Sequence, residues 1–291
     1  MDTSETHAPA EFTREALAVL VLYGRALGES VTFRSLDEGL RGLGERLDLL
    51  VYDNSAVASR PEPAAGWQIE YRHDPGNPGV SRAYLEGAKV AAERGKRWLW
   101  LLDQDTWFPP QAIAVYADAV RRYPSEVLLA PVLRSGERIV SPCAYRFPRG
   151  APLRATTTGL QDLAGKSLLN SGMCISVAAY LDVGGHDPRI GLDFSDHEFI
   201  DRFKRRYARA RILPLECRHG FSGELRSGVD AGLQRFRFFC RGVRYAAHGG
   251  LQSALGTAMV VGRACRLAFR HRHPGFLRIA ASTLIGGGHE R

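Results

Sequence analysis

Residues 97–107 read RWLWLLDQDTW, a run of bulky apolar side chains that ends abruptly in two carboxylates. A short continuous apolar run such as residues 98–102 is typical of a strand buried on both faces, which occurs mostly in parallel sheets flanked by helices. Asp103 and Asp105 follow at its carboxyl end, where open α/β sheets bind their ligands. Side chains two residues apart in an extended segment point the same way, so these carboxylates can share one divalent cation. The alternative is a polar turn that closes the strand.

Strands and helices alternate through the first half of the sequence. Residues 16–23 and 47–52 are further apolar runs, and residues 30–47 carry apolar side chains at steps of three and four, the pattern of one helix face. This order predicts an α/β fold with a mixed, mainly parallel sheet flanked by helices. The remaining predictions are strands at 67–71, 126–133, 138–145, 167–177 and 210–215, helices at 80–93, 111–123 and 200–209, a loop at 149–166 and a turn at 180–187.

Charge is distributed unevenly along the 291 residues. The net charge is +8, yet residues 200–291 contain 18 basic and 5 acidic residues, so the preceding part of the chain is net acidic. We expect a flexible lead at residues 1–12, a main domain at 13–225 and a basic, mostly helical C-terminal segment at 226–291 that packs on the domain. Such a segment favours an anionic partner, whether a phosphate-rich ligand, a membrane surface or nucleic acid. The alternative is a solvated helix surface.

Arginines recur on the helices predicted for this C-terminal segment. An apolar stripe that begins at Leu233 marks a helix, and Arg237 and Arg241 lie on the adjacent face, where they can meet a diphosphate. Residues 251–285 are predicted to be helical and partly amphipathic. The arginines of this second stretch suit an anionic surface. They are Arg263, Arg266, Arg270 and Arg272.

The cysteines and the uncharged stretches bear on the cellular compartment. Five widely spaced cysteines without a C-x-x-C pair favour reduced thiols over a disulfide framework or a zinc site. Residues 1–12 lack the basic, apolar and small-residue order of a signal peptide. Residues 245–262, the longest stretch of the tail without Asp, Glu, Lys or Arg, include four glycines and are not predicted to span a membrane. The sequence predicts a cytoplasmic protein, at most peripheral on the inner face of the plasma membrane.

Two more polar groups stand at the ends of predicted elements. Asp53 and Asn54 follow the strand at 47–52, much as Asp103 follows its own strand, so the two exits can outline a shared pocket; the alternative for Asp53 is an Asx turn. Residues 193–199 (DFSDHEF) hold four ionisable side chains and open the helix predicted at 200–209. Acidic side chains at a helix start are also favoured by the helix dipole, so their chemistry is left open at this point.

Taken together and in order, these motifs resemble those of family 2 nucleotide-sugar glycosyltransferases. The resemblance covers residues 16–245 and depends on the order and spacing of several motifs, each weak alone. The D-Q-D form followed by D-x-E-aromatic is most similar to the bacterial rhamnosyltransferase branch. The motifs are Asp53-Asn54, Asn77-x-Gly79 with Gly87 in the following helix, Asp103-Gln104-Asp105, Ser171-Gly172-Met173, Gly184-Gly185-His186-Asp187 and Asp196-His197-Glu198-Phe199.

The resemblance implies a GT-A fold and a metal-dependent inverting glycosyltransferase. It implies transfer of a sugar, such as the deoxysugar L-rhamnose, from a dTDP- or UDP-sugar donor to a hydroxyl of a cell-surface glycan or lipid-linked acceptor. Asp196 corresponds to the catalytic base of the family. The other implied roles are Mg²⁺ or Mn²⁺ binding by Asp103, Asp105 and His219, nucleotide binding by Tyr23, Asp53, Asn54, Arg82 and Asp103, and diphosphate or acceptor binding by Glu198, Arg237 and Arg241.

Three positions depart from the family pattern, and two other functions compete. Gly24, Leu85 and Gly242 stand where relatives often have Asn, which bears on donor details rather than on the reaction class. A nucleotidyltransferase of similar fold would need a glycine-rich phosphate loop after the first strand, for which residues 23–28 are a poor candidate. A non-catalytic module that binds anionic ligands through the basic tail would leave the acidic motifs unexplained. No nucleic-acid partner is expected.

Overall fold

The computed structural model describes residues 3–220 and 228–285, and its strands form one sheet. The strands are β1 Ala16–Leu22, β2 Leu47–Asp53, β3 Trp67–His73, β4 Trp98–Asp103, β5 Thr106–Trp107, β6 Leu128–Ser135, β7 Arg138–Arg146, β8 Arg149–Leu153, β9 Gly159–Asp162, β10 Lys166–Ser167, β11 Cys174–Ser176 and β12 Arg209–His219. The α-helices are α1 Thr3–Glu15, α2 Val31–Leu43, α3 Val80–Glu93, α4 Ala112–Arg122, α5 Val177–Asp182, α6 Ser195–Arg206, α7 Val229–Ala246, α8 Gly250–His271 and α9 Gly275–Ile285.

A parallel half-sheet forms the centre of the molecule. β1 pairs with both β2 and β4, and β3 extends the sheet beyond β2, all in parallel register. Every residue of β1 is buried, and β4 is buried up to Leu102, because helices cover both faces. The predicted buried strands at 16–23 and 98–102 are therefore confirmed. Their shared direction brings the residues after β1, β2 and β4 to one edge of the sheet.

The other half of the sheet is mixed. β11 runs antiparallel to β4 and to β6, β7 runs antiparallel to β6, and β12 runs parallel to β6. The predicted α/β class with a mixed sheet is thus confirmed. This arrangement carries the end of β12, with His219, back towards the end of β4, because the short strand β5 pairs with Arg218 and His219.

Several predicted element boundaries are wrong. α2 ends at Leu43 rather than residue 47, because Gly44 adopts the left-handed conformation that terminates helices. The predicted loop at 149–166 contains β8 and β9, whose side chains are mostly exposed or half-buried and so carry no apolar alternation. Only β10 and β11 are strands within the predicted strand 167–177, because the largely buried residues between them form a loop in which Gly172, with a φ of 84°, interrupts the extended backbone. α5 occupies the start of the predicted turn at 180–187.

The N-terminal segment is helical where a flexible lead was expected. α1 covers residues 3–15, and Phe12 near its end is buried against the rings of Trp100 and Tyr116. This aromatic contact anchors α1 to the core. The polar composition of residues 1–12 did not indicate it. Residues 1 and 2 lie outside the described residues.

The C-terminal helices form a separate apolar cluster. Phe236 and Phe239 of α7 pack with Val260 and Ala264 of α8 and with Phe276 of α9. The helix predicted at 251–285 is interrupted between α8 and α9 by Arg272, which has a φ of 49°, and by Pro274. The predicted boundary between residues 225 and 226 lies outside the described residues. None of the described helices is both long enough and apolar enough to cross a membrane, and the five cysteines are free thiols, as predicted.

His186 lies at the centre of a buried polar network. Its Nδ1 accepts a hydrogen bond from the hydroxyl of Tyr180 at 2.9 Å, and its Nε2 donates to Oδ1 of Asn170 at 2.9 Å. The Asn170 amide in turn donates to the Ser195 hydroxyl at 3.2 Å, at the first turn of α6. Burial and the nearby Arg202 guanidinium lower the pKa of His186 from 6.5 to about 3, so the ring is neutral at physiological pH.

This neutral histidine should make folding sensitive to acid. Below pH 6.5 the unfolded chain takes up a proton at His186 that the folded chain refuses, so stability is lost progressively as the pH falls from about 6.5 towards about 3. We expect the free energy of unfolding to fall between pH 6.5 and 5 by about 2 kcal/mol more in the wild type than in His186→Gln. Urea unfolding at the two pH values measures this difference. An equal loss of unfolding free energy in the two proteins would contradict a neutral, buried His186.

Candidate active site

A cavity of about 1240 Å³ opens at the carboxyl ends of the central strands. Its lining comes from distant parts of the chain: the residues after β1, β2 and β4, the loop before α6, the end of β12, and the facing sides of α7 and α8. Among them are Tyr23, Asn54, Asp103, Gln104, Asp105, Asp193, Asp196, His219, Arg235, Arg263, Arg266 and Arg270. The fold therefore brings the acidic motifs of the sequence into one pocket.

The Asp-Gln-Asp segment is held by hydrogen bonds on both sides. The hydroxyl of Tyr84, from α3, donates to Oδ1 of Asp103 at 2.8 Å, and the backbone N–H of Asp103 donates to the Ser171 hydroxyl at 3.2 Å. Gln104 accepts from the backbone N–H of Tyr23 at 2.9 Å and donates to its carbonyl at 3.2 Å. Gln104 thus joins the ends of β1 and β4, a positioning contact that a D-x-D pattern does not reveal.

The two carboxylates of this segment lie in an electrostatically unfavourable environment. Burial and the neighbouring Asp105 charge raise the pKa of Asp103 to about 6, against the opposing effects of His219 and the Tyr84 hydroxyl. Burial likewise raises the pKa of Asp105. Both shifts mean that the negative charge of the pair lacks a full countercharge. A bound cation would supply one.

The donor set can be compared with what a divalent cation requires. Within residues 3–220 and 228–285, no group of three or more His, Cys, Asp or Glu side chains is arranged to hold a metal ion. His219 approaches Asp105 at 3.8 Å from Nδ1 to Oδ1, and the same nitrogen lies 2.8 Å from the Thr106 hydroxyl. Asp103 and Asp105 offer oxygen ligands of the kind that Mg²⁺ takes when substrate phosphates and water complete its shell. The pair fits such a cation; the predicted set with His219 is not preassembled.

Asp196 lines the same cavity from the start of α6. Phe194, the residue before the helix, has a φ of 73°, an uncommon conformation for a non-glycine residue, and its ring packs on Phe147 and Phe239. His197, which follows Asp196 in α6, is fixed by its contact with the Ser167 hydroxyl at 2.8 Å and by stacking on Tyr145. The residues on both sides of Ser195 and Asp196 are therefore held by tertiary packing, which restricts the positions that the Asp196 carboxylate can adopt.

The predicted nucleotide-binding residues differ in position. Tyr23 and Asn54 line the cavity, and Oδ1 of Asn54 is buried without a hydrogen-bond partner among the described residues. Asp53 is fully buried outside the lining; it accepts hydrogen bonds from the N–H of Ser55 at 2.9 Å and from the Tyr71 hydroxyl at 2.6 Å. Arg82 is also outside the lining, in a surface ion pair with Glu86 at 3.7 Å.

The residues predicted to bind the diphosphate or the acceptor lie outside the cavity lining. Both oxygens of Glu198 are engaged by the guanidinium of Arg202, which also donates to the carbonyls of Val183 and Gly185. Arg237 and Arg241 are exposed on α7 and do not line the cavity. The spacing of apolar residues in the sequence predicted helix α7 but not which of its polar side chains line the cavity.

The arginines that do line the cavity are different ones. Arg235 of α7 is paired with Asp193 at 3.0 Å. Asp193 belongs to the stretch at 193–199 that the sequence predicted, whereas Arg235 was not singled out by any sequence pattern. Arg263, Arg266 and Arg270 of α8 had been assigned to an anionic surface rather than to the pocket. Only the packing of α8 against α7 reveals that they line the same cavity as the acidic residues, since helix pairing leaves no local signal in the sequence.

Gly242 lets α7 approach the loop that precedes Asp196. A Cβ atom added there would lie 2.2 Å from the Asp193 carbonyl oxygen. We expect Gly242→Ala to lower the free energy of unfolding by about 1–3 kcal/mol through this clash. In Gly262→Ala, the control on α8, the added Cβ meets nothing within 4 Å, so alanine should raise stability by about 0.5–1 kcal/mol through its helix propensity. Urea unfolding compares the two; changes of the same sign would contradict the close approach.

Comparisons with known proteins bear on this geometry. The sequence model described as glycosyl transferase family 2 matches residues 26–171, just over half of the chain. No curated protein matches the sequence significantly. Among solved structures, that of GalNAc-T7 with UDP, GalNAc and Mn²⁺ is similar, with a TM-score of 0.51 and 11% identity over 77% of this chain. This chain covers 48% of GalNAc-T7, about half of its length. The likeness shows the fold, which is the GT-A fold of glycosyltransferases.

Two further structures give lower scores. The mannosyltransferase PcManGT from Pyrobaculum calidifontis, in complex with GDP-Man and Mn²⁺, has a TM-score of 0.48 and 12% identity, covering 93% of this chain and 87% of that one. S. aureus TarS has a TM-score of 0.49 and 12% identity, covering 84% of this chain and 41% of that one.

Proposed function

Since the chain belongs to glycosyl transferase family 2, we propose that it transfers a sugar from a nucleoside-diphosphate donor to an acceptor hydroxyl, with inversion at the anomeric carbon. The observation that carries this proposal is that Asp103, Asp105 and Asp196 line one cavity although they come from different elements. Two carboxylates suited to a cation and a third suited to proton transfer are the groups that such a displacement needs.

The donor diphosphate is assigned to the side of the cavity that carries Asp103 and Asp105. These carboxylates would hold Mg²⁺ or Mn²⁺, which when bound supplies Lewis-acid stabilisation of the charge that develops on the leaving diphosphate. Tyr84 and Ser171 keep Asp103 in place through the hydrogen bonds at 2.8 and 3.2 Å. Gln104 fixes the same segment to the end of β1, so the carboxylates need little rearrangement when the donor binds.

Asp196 is assigned as the general base. Its carboxylate would accept the proton of the attacking acceptor hydroxyl, while the hydroxyl oxygen bonds to the anomeric carbon and the nucleoside diphosphate leaves from the opposite face. A single displacement of this kind inverts the anomeric centre and needs no covalent nucleophile. The constraints on Phe194 and His197 support the role, because a general base must stay within hydrogen-bond reach of the proton that it takes.

The nucleotide is assigned to the region of Tyr23 and Asn54. The unpartnered Oδ1 of Asn54 supports this, since a buried acceptor without a donor is costly unless a ligand satisfies it. Asp53 would act behind it as a positioning residue, because its hydrogen bond from the N–H of Ser55 shapes the turn that carries Asn54. A UDP- or dTDP-sugar is the proposed donor class.

The finer identity of the substrates is also a proposal. The D-Q-D and D-x-E-aromatic motifs support a deoxysugar such as L-rhamnose, and a cell-surface glycan or lipid-linked precursor is the proposed acceptor. A peripheral contact with the inner face of the plasma membrane is supported by exposed apolar side chains on α8 and α9, in the basic C-terminal segment. These include Leu251, Phe269 and Leu277.

A nucleotide-sugar panel tests the proposal. Purified protein should hydrolyse or transfer at least one UDP- or dTDP-sugar in Mg²⁺ or Mn²⁺, releasing nucleoside diphosphate, and EDTA should abolish the reaction. Release of pyrophosphate from nucleoside triphosphates instead would favour a nucleotidyltransferase. Lack of any donor turnover across a broad panel would contradict the proposal.

A further inference from the structure

A basic wall lines the same cavity as the carboxylates. Arg263, Arg266 and Arg270 of α8 line it, at spacings of three and four that place them on one helix face. Arg235 of α7 and His271 lie beside them in the lining. The proposed transfer reaction assigns no role to this wall, since the donor diphosphate is held on the acidic side.

The positive charge of the wall is poorly compensated within the protein. Arg235 pairs with Asp193 at 3.0 Å, but no ion pair within the described ranges involves Arg263, Arg266 or Arg270. Arg263 instead stacks on the ring of Phe239, with its guanidinium carbon 4.0 Å from the ring centroid. Burial and the nearby Arg235 and Arg266 charges lower the pKa of Arg263, against the opposing effect of the Asp193 carboxylate. Three arginines of one helix face, none of them in a direct ion pair with a described carboxylate, are suited to an oxyanion from outside, which Arg binds through paired N–H donors.

Apolar side chains surround the same arginines. Phe236, Phe238, Phe239 and Leu267 contribute to this side of the cavity. The cavity, at about 1240 Å³, also exceeds the roughly 300–1,000 Å³ that is usual for one small-molecule ligand. It therefore offers room for a second ligand, with an anionic group and an apolar part, next to the donor.

We propose that Arg263, Arg266 and Arg270 bind the phosphate of a phosphate-bearing acceptor, whose sugar hydroxyl then faces Asp196. This inference rests on the proposed function, because it assigns the acceptor of the same reaction. Two sources share the chemistry: an acceptor joined to a lipid through phosphate, and a free sugar phosphate. The apolar lining favours the first.

Calorimetric titration of the full chain tests the phosphate site. With the donor side saturated by UDP and Mg²⁺, decyl phosphate should bind and the neutral decyl glucoside should bind at least about tenfold more weakly, because it lacks the charge-assisted hydrogen bonds. Arg266→Gln/Arg270→Gln should weaken decyl phosphate binding at least about tenfold. Both arginines are exposed at the cavity mouth, so the variant should fold, which its circular dichroism checks. Arg121→Gln/Arg122→Gln on α4, outside the lining, is the charge-matched control and should bind normally.

The outcomes separate this inference from the proposed function. Unchanged decyl phosphate binding in Arg266→Gln/Arg270→Gln overturns the inference, as does equal loss of UDP binding, which would assign the arginines to the donor. Binding of phosphatidylglycerol vesicles without binding of decyl phosphate also overturns it, in favour of a membrane surface. Methyl phosphate that binds as tightly as decyl phosphate identifies a soluble acceptor, and weaker binding a lipid-linked one. Donor hydrolysis in water, measured on the same samples, tests the proposed function independently, since it requires no acceptor.

Discussion

Asp196→Asn is expected to lower kcat by about 10²- to 10⁴-fold while leaving the affinity for the nucleotide almost unchanged. The amide keeps the size of the side chain and can still accept the backbone hydrogen bond from His197 at 2.8 Å. It cannot take the proton from the acceptor hydroxyl. Because the loss concerns proton transfer alone, turnover falls and donor binding does not. Steady-state kinetics with the donor identified in the panel, together with calorimetric titration of UDP, measures both quantities.

Asp201→Asn provides the matched control. Asp201 lies on the same helix, carries the same charge and forms an ion pair with Lys204, but it does not line the cavity. Its variant should retain wild-type kcat, because a partly exposed ion pair contributes little. Near-normal turnover in Asp196→Asn would show that another group takes the proton.

Asp103→Asn and Asp105→Asn should each weaken metal-dependent binding of UDP by about 100-fold or more. Each change removes one of two anionic oxygen ligands, and neutral amide oxygens are poorer partners for Mg²⁺. Asparagine at 103 can still accept the hydrogen bond from Tyr84, so the fold around the segment should be kept. Titration of UDP with Mg²⁺ and with EDTA separates the metal-dependent part of binding from the rest.

Asp118→Asn on the surface of α4 is the control for these two variants. Asp118 pairs with Arg121 and Arg122 at the surface, outside the cavity lining, and should be dispensable for nucleotide binding. Metal-dependent UDP affinity that survives in both Asp103→Asn and Asp105→Asn would rule out the cation assignment. If binding is lost as expected, the variants distinguish the roles of the acidic residues: Asp196 is needed for turnover, and Asp103 and Asp105 are needed for nucleotide binding.

The centre of the sheet could be predicted because its sequence signal is local. β1 and β4 are continuous apolar runs whose burial follows from coverage on both faces, and α3 was predicted with its observed bounds of Val80–Glu93. Elements that depend on partners distant in sequence gave no such signal. β8 and β9 exist because β7 and β12 offer them backbone hydrogen bonds, not because their side chains alternate.

The candidate site was predictable to a similar extent. Asp103, Asp105 and Asp196 stand at element ends, where polar side chains after apolar runs are visible in the sequence. Which arginines reach the pocket depends instead on how α8 packs against α7. Arg235 and the arginines of α8 line the cavity, whereas Arg237 and Arg241 do not. Asp53 accepts the hydrogen bond of an Asx turn from the backbone N–H of Ser55 and a second one from the Tyr71 hydroxyl, so it lies behind the pocket. The sequence left this alternative open, because only the tertiary structure shows that Asp53 is outside the cavity lining.

Anomalous scattering of Mn²⁺, in crystals of the protein grown with UDP, directly tests whether Asp103 and Asp105 hold the cation. We expect a single Mn²⁺ peak within about 2.0–2.6 Å of carboxylate oxygens from both Asp103 and Asp105, with the UDP diphosphate on its other side and Asp196 beyond it. A UDP diphosphate bound to the arginines of α8, with no Mn²⁺ at Asp103 and Asp105, would contradict this assignment.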